Sequence, residues 1–473
     1  MNNNKMQSDR TKNVTVGEKI GYALGDAGNA CSWSFISSFL MLYYTDTVGI
    51  SPTLVATLFL VTRIWDAVND PLIGTLSDHT NSSRGRYRPW ILFGAGPLVV
   101  ITALTFYNPT TFSNTGKVIY AYATYSLVVL AYTAVNIPYT ALSAAITQDS
   151  RERGSLAGWR LTFSIVGAML VAQAGTYLVP WFDKNLIAGQ GYFCVAVLLG
   201  VFGCICYFTA YAKTHERVEI KLEERKESFK NQLKAVLHNK PLILTTMVHF
   251  LVGMTVYGKM AVMAYYFKYN VGNYGLLAIF TIVMQLSMAV GSMLSPKLSD
   301  KLGSKGKALS LSFVGYGVFS LINAAFTPNN APVLFWILVA LGNLCHGSGY
   351  AISYAVIPDT VEYGALKSGI RSEGLISSFT SFFNKVGMAI GTSLTAYILG
   401  VLSYNPGGTQ SAQTLMAINI IMFVVSGISA IVMGILFLMY KLDYKTFDGV
   451  LEKLKEKAGE NSTKKYQRKE ILK

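Results

Sequence analysis

Residues 63–71 read Arg-Ile-Trp-Asp-Ala-Val-Asn-Asp-Pro, and they lie in the middle of an apolar run over 53–77. A run of this length is long enough to cross a bilayer as one helix. Charged residues at the centre of such a helix are costly, and they usually face a bundle interior or a water-filled path. Asp66 and Asp70 are four residues apart and Asn69 lies beside them, so all three share one helix face. The stretch therefore predicts a membrane helix with a polar site at its centre.

Three oxygen-bearing side chains within one helical turn are suited to binding a hard cation. A carboxylate pair is equally suited to holding a proton. Asp66, Asn69 and Asp70 are therefore candidate cation ligands, and the sequence does not separate Na⁺ from H⁺. The alternative for Asp66 is a structural ion pair with Arg63, three residues before it.

The composition excludes several classes of protein. The 473-residue chain is 52% hydrophobic and 14% charged, whereas soluble proteins have about 25% charged residues. Its formal charge of +15 would suit a nucleic-acid partner, but the basic residues lie in loops and tails between apolar runs, so we expect no nucleic-acid binding. The five cysteines show no metal-ligand spacing, and we expect neither a metal site nor a cofactor. No apolar run carries a nucleophile–base pair, which argues against an enzyme.

Twelve apolar segments reach the length of a membrane span. They cover residues 20–44, 53–77, 90–107, 118–146, 157–181, 192–211, 242–267, 274–298, 309–326, 332–357, 374–402 and 415–440. Lys and Arg gather at both ends of the chain and in the loops after the even-numbered segments, which places those parts in the cytoplasm. The sequence therefore predicts an all-α, multi-pass protein of a bacterial plasma membrane, with twelve transmembrane helices in two six-helix bundles.

The longest interior loop divides the chain, and an internal repeat supports the division. The predicted domains are a cytoplasmic N-terminus (1–19), a first six-helix bundle (20–212), a central cytoplasmic loop (213–240), a second six-helix bundle (241–441) and a basic cytoplasmic tail (442–473). The loop mixes Glu and Lys at helical spacing, which predicts a surface helix.

The repeat itself lies at 74–86 and 295–307, where an Asp at a helix end precedes a Gly between basic residues. It resembles the cytoplasmic loop motif of the major facilitator superfamily, which acts there as a gate clamp. The resemblance extends that role to Asp78, Arg84, Arg86 and Asp300. The alternative is that these charged residues only set the orientation of the chain in the membrane. In the tenth interior loop, Asp359 and Arg371 either form a gate network with Arg151, Arg153 or Arg160 or belong to a solvated loop.

Further polar residues break the apolar runs. Asp26 lies in the first segment, and Tyr132 and Asn136 lie one turn apart in the fourth. An aromatic ring beside an amide is typical of a sugar-binding platform, although Asn136 is equally suited to an interhelical hydrogen bond. Lys385 lies deep in the eleventh segment and needs a counter-charge, for which Asp66 or Asp70 is the candidate. One Lys against two carboxylates leaves one negative charge, which suggests one cation per cycle provided that Arg63 and Asp26 pair elsewhere.

The chain resembles the glycoside–pentoside–hexuronide:cation symporters, the family of melibiose permease, over nearly its whole length. The resemblance rests on residues 43–46, 63–71, 86–90, 136–139 and 359–364 and on Lys385. It implies the major facilitator fold and sugar:cation symport by alternating access, with Na⁺ or H⁺ as the coupling ion. It also implies a cation site of Asp66, Asn69, Asp70 and Thr133, and a sugar site of Asp26, Tyr132, Asn136, Arg160, Tyr350 and Lys385.

The expected substrate follows from two positions at which this sequence differs from the melibiose-type members of the family. Melibiose-type members carry sugar-binding carboxylates at positions held here by Ala30 and Asn136. The site is therefore less negative, and we expect a glucuronide, a xyloside or a related oligosaccharide. The alternatives are another small solute, such as a galactoside, a sulfonated sugar or an organic acid, and a membrane sugar sensor that does not transport. The expected partners are the sugar and the lipid bilayer, and the protein is expected to be a monomer.

Overall fold

The computed structural model describes residues 14–147, 150–217, 229–369, 373–454 and 456, and these residues form no strand. Twelve long helices follow one another in the described chain. They are α1 (Val16–Leu42), α2 (Pro52–Asp78), α3 (Arg88–Thr105), α4 (Asn114–Ile146), α5 (Ser150–Gln173), α6 (Gly191–Lys213), α7 (Lys240–Tyr265), α8 (Leu276–Leu302), α9 (Lys305–Asn323), α10 (Pro332–Ala355), α11 (Glu373–Val401) and α12 (Ala412–Asn419, continuing through Ile420–Val425 to Ser426–Leu438).

These helices match the twelve predicted segments in order. Eight of them are long and apolar enough to cross a membrane by length and composition, namely α3 to α8, α10 and α12. The other four include α1, α2 and α11, whose sequences carry Asp26, Asp66, Asp70 and Lys385. The all-α membrane fold is confirmed. Short helices also occur at Val179–Asn185, Phe229–Leu237 and Ile357–Ser368, and the rest of the predicted surface helix, at 218–228, lies outside the described residues.

The chain divides into two compact units. The first takes its described residues from Met1–Leu222, Tyr257–Leu286 and Ala389–Met422, and the second takes them from Glu223–Val256, Ser287–Met388 and Phe423–Lys473. The predicted domain boundaries remain a prediction.

In the first unit, α1 packs against α5 and α6, α3 packs against α4 and α6, and α2 packs against α4. Small residues permit the close approach of α1 and α6, because a Cβ added at Gly28 would lie only 3.0 Å from the carbonyl oxygen of Gly203. Such glycine contacts are typical of membrane helices, which gain most from backbone proximity. This packing turns one face of α1, which carries Asp26, toward the neighbouring helices.

A buried carboxylate joins three segments at one end of the first unit. Helix α1 continues as a π-helical segment, Tyr43–Val48, in which Asp46 accepts hydrogen bonds from Lys268 (2.6 Å), Tyr269 (2.6 Å) and Tyr404 (2.5 Å). Burial raises the pKa of the Tyr404 hydroxyl. With its pKa raised, this hydroxyl stays protonated and able to donate even at the ordinary pKa of tyrosine.

In the second unit, α9 packs against α10 and α12, and Phe313 and Phe437 are buried in its core. Helices α8 and α10 meet at two glycines. A Cβ added at Gly291 would lie 1.8 Å from the carbonyl oxygen of Leu344, and one added at Gly347 would lie 2.0 Å from that of Met288. Neither position accepts a side chain unless the helices separate.

We predict that Gly347→Ala lowers the stability of the protein by about 1–3 kcal/mol, the usual effect of overpacking a close contact. Thermal unfolding of the purified protein in detergent measures the change. Gly158→Ala in α5 is the matched control, because nothing lies within 4 Å of the added Cβ and alanine favours a helix over glycine. A Gly347→Ala protein that melts at or above the wild-type temperature would contradict the packing of α8 on α10.

Candidate functional site

The predicted cation ligands come together between α2 and α4 in the first unit. Asp66 and Asn69 are buried, as is Thr133 of α4. The Thr133 hydroxyl lies 3.3 Å from Asp66 Oδ1 and 3.4 Å from Asp70 Oδ1, within donating distance of either carboxylate. Helical spacing places Asp66 and Asp70 one turn apart, and the packing of α2 on α4 brings the hydroxyl to both. The arrangement gathers hard oxygen donors of the kind that bind Na⁺ or hold a proton.

Arg63 also belongs to this group. Its Nη1 lies 3.6 Å from Asp66 Oδ2, and both side chains are less than a tenth exposed. The ion pair considered for Asp66 is therefore present. The charge count that suggested one cation per cycle assumed that Arg63 pairs with a residue other than Asp66. That assumption is wrong, because the three-residue spacing brings Arg63 to Asp66. The other condition holds, since Asp26 pairs with Arg160.

The side-chain amide of Asn69 is unusual for a buried group. Its amide nitrogen is buried and has no hydrogen-bond partner among the described residues. Buried polar atoms are normally satisfied, so an unsatisfied one invites explanation. Helical spacing places Asn69 on the face of Asp66 and Asp70, so its amide oxygen is a further candidate ligand.

Two predicted sugar-site residues contact each other. Arg160 of α5 donates through Nε to Asp26 Oδ2 and through Nη2 to Asp26 Oδ1, the second over 3.1 Å. Its guanidinium carbon lies 4.9 Å from the ring centroid of Tyr139, whose hydroxyl lies 3.1 Å from Asp26 Oδ2. Two-pronged guanidinium–carboxylate pairs are among the strongest polar contacts in proteins. The pair therefore neutralises both charges and joins α1 to α5.

Tyr132 has a neighbour that the sequence analysis missed. Trp33 of α1 stacks on Tyr132, with ring centroids 4.7 Å apart. The guanidinium carbon of Arg63 lies 4.9 Å from the centroid of the Trp33 ring. Trp33 follows Asp26 by seven residues and therefore lies on the same helix face, a signal present in the sequence. Asn136 is half-buried one turn after Tyr132.

The remaining two predicted sugar-site residues belong to the second unit. Tyr350 of α10 is half-buried, and its ring centroid lies 5.1 Å from that of Tyr354. Lys385 of α11 is also half-buried. The preceding residue, Asn384, donates to the carbonyl oxygen of His249 over 2.8 Å and so ties α11 to α7. The pairing of Lys385 with Asp66 or Asp70 stays a prediction.

The predicted gate residues fall into separate clusters. In the first unit, Arg84 is exposed, and the backbone N–H of Arg86 donates to Glu216 over 2.8 Å. In the second unit, Asp359 pairs with Lys305 Nζ at 2.8 Å, and Asp300 accepts a hydrogen bond from the Tyr444 hydroxyl over 3.1 Å. The side chain of Asp78 and the whole of Arg371 lie outside what the structure describes.

Glu216 is a second residue that the sequence analysis missed. Its carboxylate accepts from the backbone N–H groups of Arg86, Tyr87 and Arg88 at 2.8, 2.8 and 3.0 Å. These groups begin α3, where unsatisfied donors and the helix dipole favour an anion. Glu216 thereby fastens the segment after α6 to the start of α3.

Comparison with known proteins places this arrangement in a family. The family model described as MFS/sugar transport protein matches residues 21–444. The isoprimeverose transporter of Lactiplantibacillus pentosus is 33% identical over 439 residues, covering 91% of this chain and 89% of the relative. The putative glycoside/cation symporter YagG of Escherichia coli is 32% identical over 430 residues, covering 91% and 92%.

A solved structure supports the same fold. The inward-facing structure of a bacterial homologue of the human lysosomal transporter Spinster superposes with a TM-score of 0.65 at 14% identity, covering 92% of this chain and 97% of the other.

The twelve-helix fold and the intramembrane polar residues define a transporter of the major facilitator superfamily. The chain belongs to the MFS/sugar transport protein family. It is a multi-pass membrane protein and a sugar symporter, and not an enzyme.

We predict that Asp26→Asn lowers the stability of the protein by about 1–3 kcal/mol, because it leaves the half-buried guanidinium of Arg160 without its counter-charge. The double variant Asp26→Asn/Arg160→Met should be less destabilised than Asp26→Asn alone, since no unpaired charge remains. Thermal unfolding in detergent would be measured for the wild type, for the single variants Asp26→Asn and Arg160→Met, and for the double variant.

Asp448→Asn is the control, because this carboxylate is exposed and should change stability by less than about 0.5 kcal/mol. Additive effects of the two single substitutions, with no coupling between them, would show that the Asp26–Arg160 contact contributes nothing.

Proposed function

We propose that the protein couples uptake of a neutral glycoside to entry of a cation, Na⁺ or H⁺. It does so by alternating access across a bacterial plasma membrane. The observation that carries this proposal is the group of Asp66, Asn69, Asp70 and Thr133 within the membrane helices α2 and α4, in which Asp70 is half-buried and the other three residues are buried. Acidic residues at such positions are costly and usually mark an ion path.

The coupling ion is Na⁺ or H⁺. Two carboxylates, a hydroxyl and an amide oxygen form an oxygen set suited to a hard cation. A proton would use the same carboxylates, and the Thr133 hydroxyl would then reorient toward whichever oxygen remains an acceptor. In either case the ion reduces the negative charge that faces Arg63. By thermodynamic linkage, an ion that raises sugar affinity is itself bound more tightly when the sugar is present.

A neutral glycoside is favoured over an anionic one. Arg160 is the basic residue of the first unit predicted to contact sugar, and its charge is already balanced by Asp26. Tyr132 offers an aromatic ring for the apolar side of a sugar, and Asn136 offers both a donor and an acceptor to hydroxyl groups. The relatives named for isoprimeverose and glycoside transport agree with a glycoside as the substrate.

The orientation, oligomeric state and gate are also part of the proposal. Both termini and the loops after even-numbered helices lie in the cytoplasm, because those segments hold most of the Lys and Arg. The protein acts as a monomer. Lys385 contributes to sugar binding, and the Lys305–Asp359 pair is one of the cytoplasmic clamps that open and close in the cycle.

We predict that Asp66→Asn abolishes gradient-driven accumulation of sugar, because the amide removes a carboxylate that the cation requires. Uptake into right-side-out membrane vesicles would be measured with isoprimeverose, a xyloside, a glucuronide and melibiose. Each sugar would be given with a Na⁺ gradient, with a proton gradient and with neither. Asp448→Asn is the matched control, since it makes the same chemical change at an exposed site, and it should transport like the wild type.

The outcomes separate the alternatives. Accumulation of isoprimeverose or the xyloside under one gradient supports the proposal and names the ion. Preference for the glucuronide would refute the proposal that the substrate is neutral, but it would not contradict symport. Uptake that ignores both gradients and survives Asp66→Asn would refute cation coupling at this site, and Asp66 would then be a structural partner of Arg63.

A further inference from the structure

The candidate cation site and the candidate sugar platform are joined by a continuous line of side chains in the first unit. Arg63 lies 3.6 Å from Asp66 and 4.9 Å from the centroid of the Trp33 ring. Trp33 in turn stacks on Tyr132 at 4.7 Å. Three helices, α1, α2 and α4, each contribute to this line.

Arg63 is held by two partners of different kinds. The Asp66 carboxylate attracts the guanidinium as a full charge, whereas the Trp33 ring attracts it through the negative face of its π system. The guanidinium is less than a tenth exposed, so both attractions act with little screening by water. The Nε atom of Arg63 is buried and has no hydrogen-bond partner among the described residues. The position of the guanidinium is therefore decided mainly by how strongly Asp66 attracts it.

We propose that Arg63 and Trp33 transmit cation occupancy to the sugar platform. This inference rests on the proposed function. A cation at Asp66 competes with Arg63 for the same carboxylate and weakens their attraction. The guanidinium then depends more on the Trp33 ring, which fixes the ring against Tyr132. A platform held in one position binds a sugar ring with less loss of side-chain freedom. Trp33 is thus a positioning residue, and it raises sugar affinity when the cation is bound.

The test compares sugar affinity with and without the cation. The purified protein would be titrated calorimetrically with the glycoside that the wild type accumulates in vesicles, in sodium chloride, in choline chloride, and at acidic and alkaline pH. The coupling ratio is the affinity with the cation divided by the affinity without it. Trp33→Leu should lower this ratio by about 3- to 30-fold, the equivalent of one buried cation–π contact. Cation binding measured without sugar should persist.

Two variants control for packing. Trp33→Phe keeps an aromatic face with a weaker quadrupole and should keep part of the ratio. If Trp33→Leu does not fold, Trp33→Phe decides the matter, since an unchanged ratio there would overturn the proposal. Trp181→Leu removes a tryptophan that is 53% exposed and should leave the ratio at the wild-type value.

The experiment distinguishes failure of the proposed symport from failure of the role inferred for Arg63 and Trp33. A wild-type protein whose sugar affinity ignores both Na⁺ and pH would overturn the proposed symport and this inference together. A wild type that shows coupling, with Trp33→Leu weakening sugar binding equally in all conditions, would leave symport intact. Trp33 would then be a plain sugar contact, and the transmission through Arg63 would be refuted.

Discussion

The structure depends on one constraint, which is that a carboxylate inside a membrane needs a compensating charge or a ligand. In the first unit, three acidic side chains from α1, its π-helical extension and α2 each lie beside a basic residue. Asp26 meets Arg160, Asp46 meets Lys268, and Asp66 meets Arg63. The first two pairs join segments that are far apart in sequence. These charges are therefore compensated only when the segments pack against each other. Small residues such as Gly28 allow the helices to approach closely enough for these pairs to form.

Local features of this protein were predictable from the sequence. Twelve helices follow from the length of the apolar runs, because a spanning segment must satisfy its backbone hydrogen bonds within itself. The shared face of Asp66, Asn69 and Asp70 follows from helical periodicity alone. The burial of Asp66 and Asn69 could be expected as well, because polar groups inside a span avoid lipid. Resemblance to a known family supplied Thr133, which neither spacing nor composition indicates.

Contacts between helices were beyond the reach of the sequence. Nothing in the spacing connects Asp46 to Tyr404, which is 358 residues away, or brings the Glu216 carboxylate to the first N–H groups of α3. Trp33 illustrates the intermediate case. Its position seven residues after Asp26 indicates the correct helix face, but its stacking on Tyr132 depends on how α1 meets α4. Arg63 is a second intermediate case, because its three-residue spacing allows a pair with Asp66 but does not exclude partners on other helices.

The three acidic side chains differ in a way that separates structure from function. Asp26 and Asp46 are each bound through short hydrogen bonds to a basic group and to tyrosine hydroxyls, so displacing the basic partner would break several contacts at once. Asp66 lies 3.6 Å from Arg63, beyond good hydrogen-bond distance, and shares the Thr133 hydroxyl with Asp70. A loosely held cation beside two acceptors is easier to exchange for another cation than one held in a two-pronged pair. This arrangement of Asp66 suits the ion exchange proposed above, while Asp26 and Asp46 hold the helices in place.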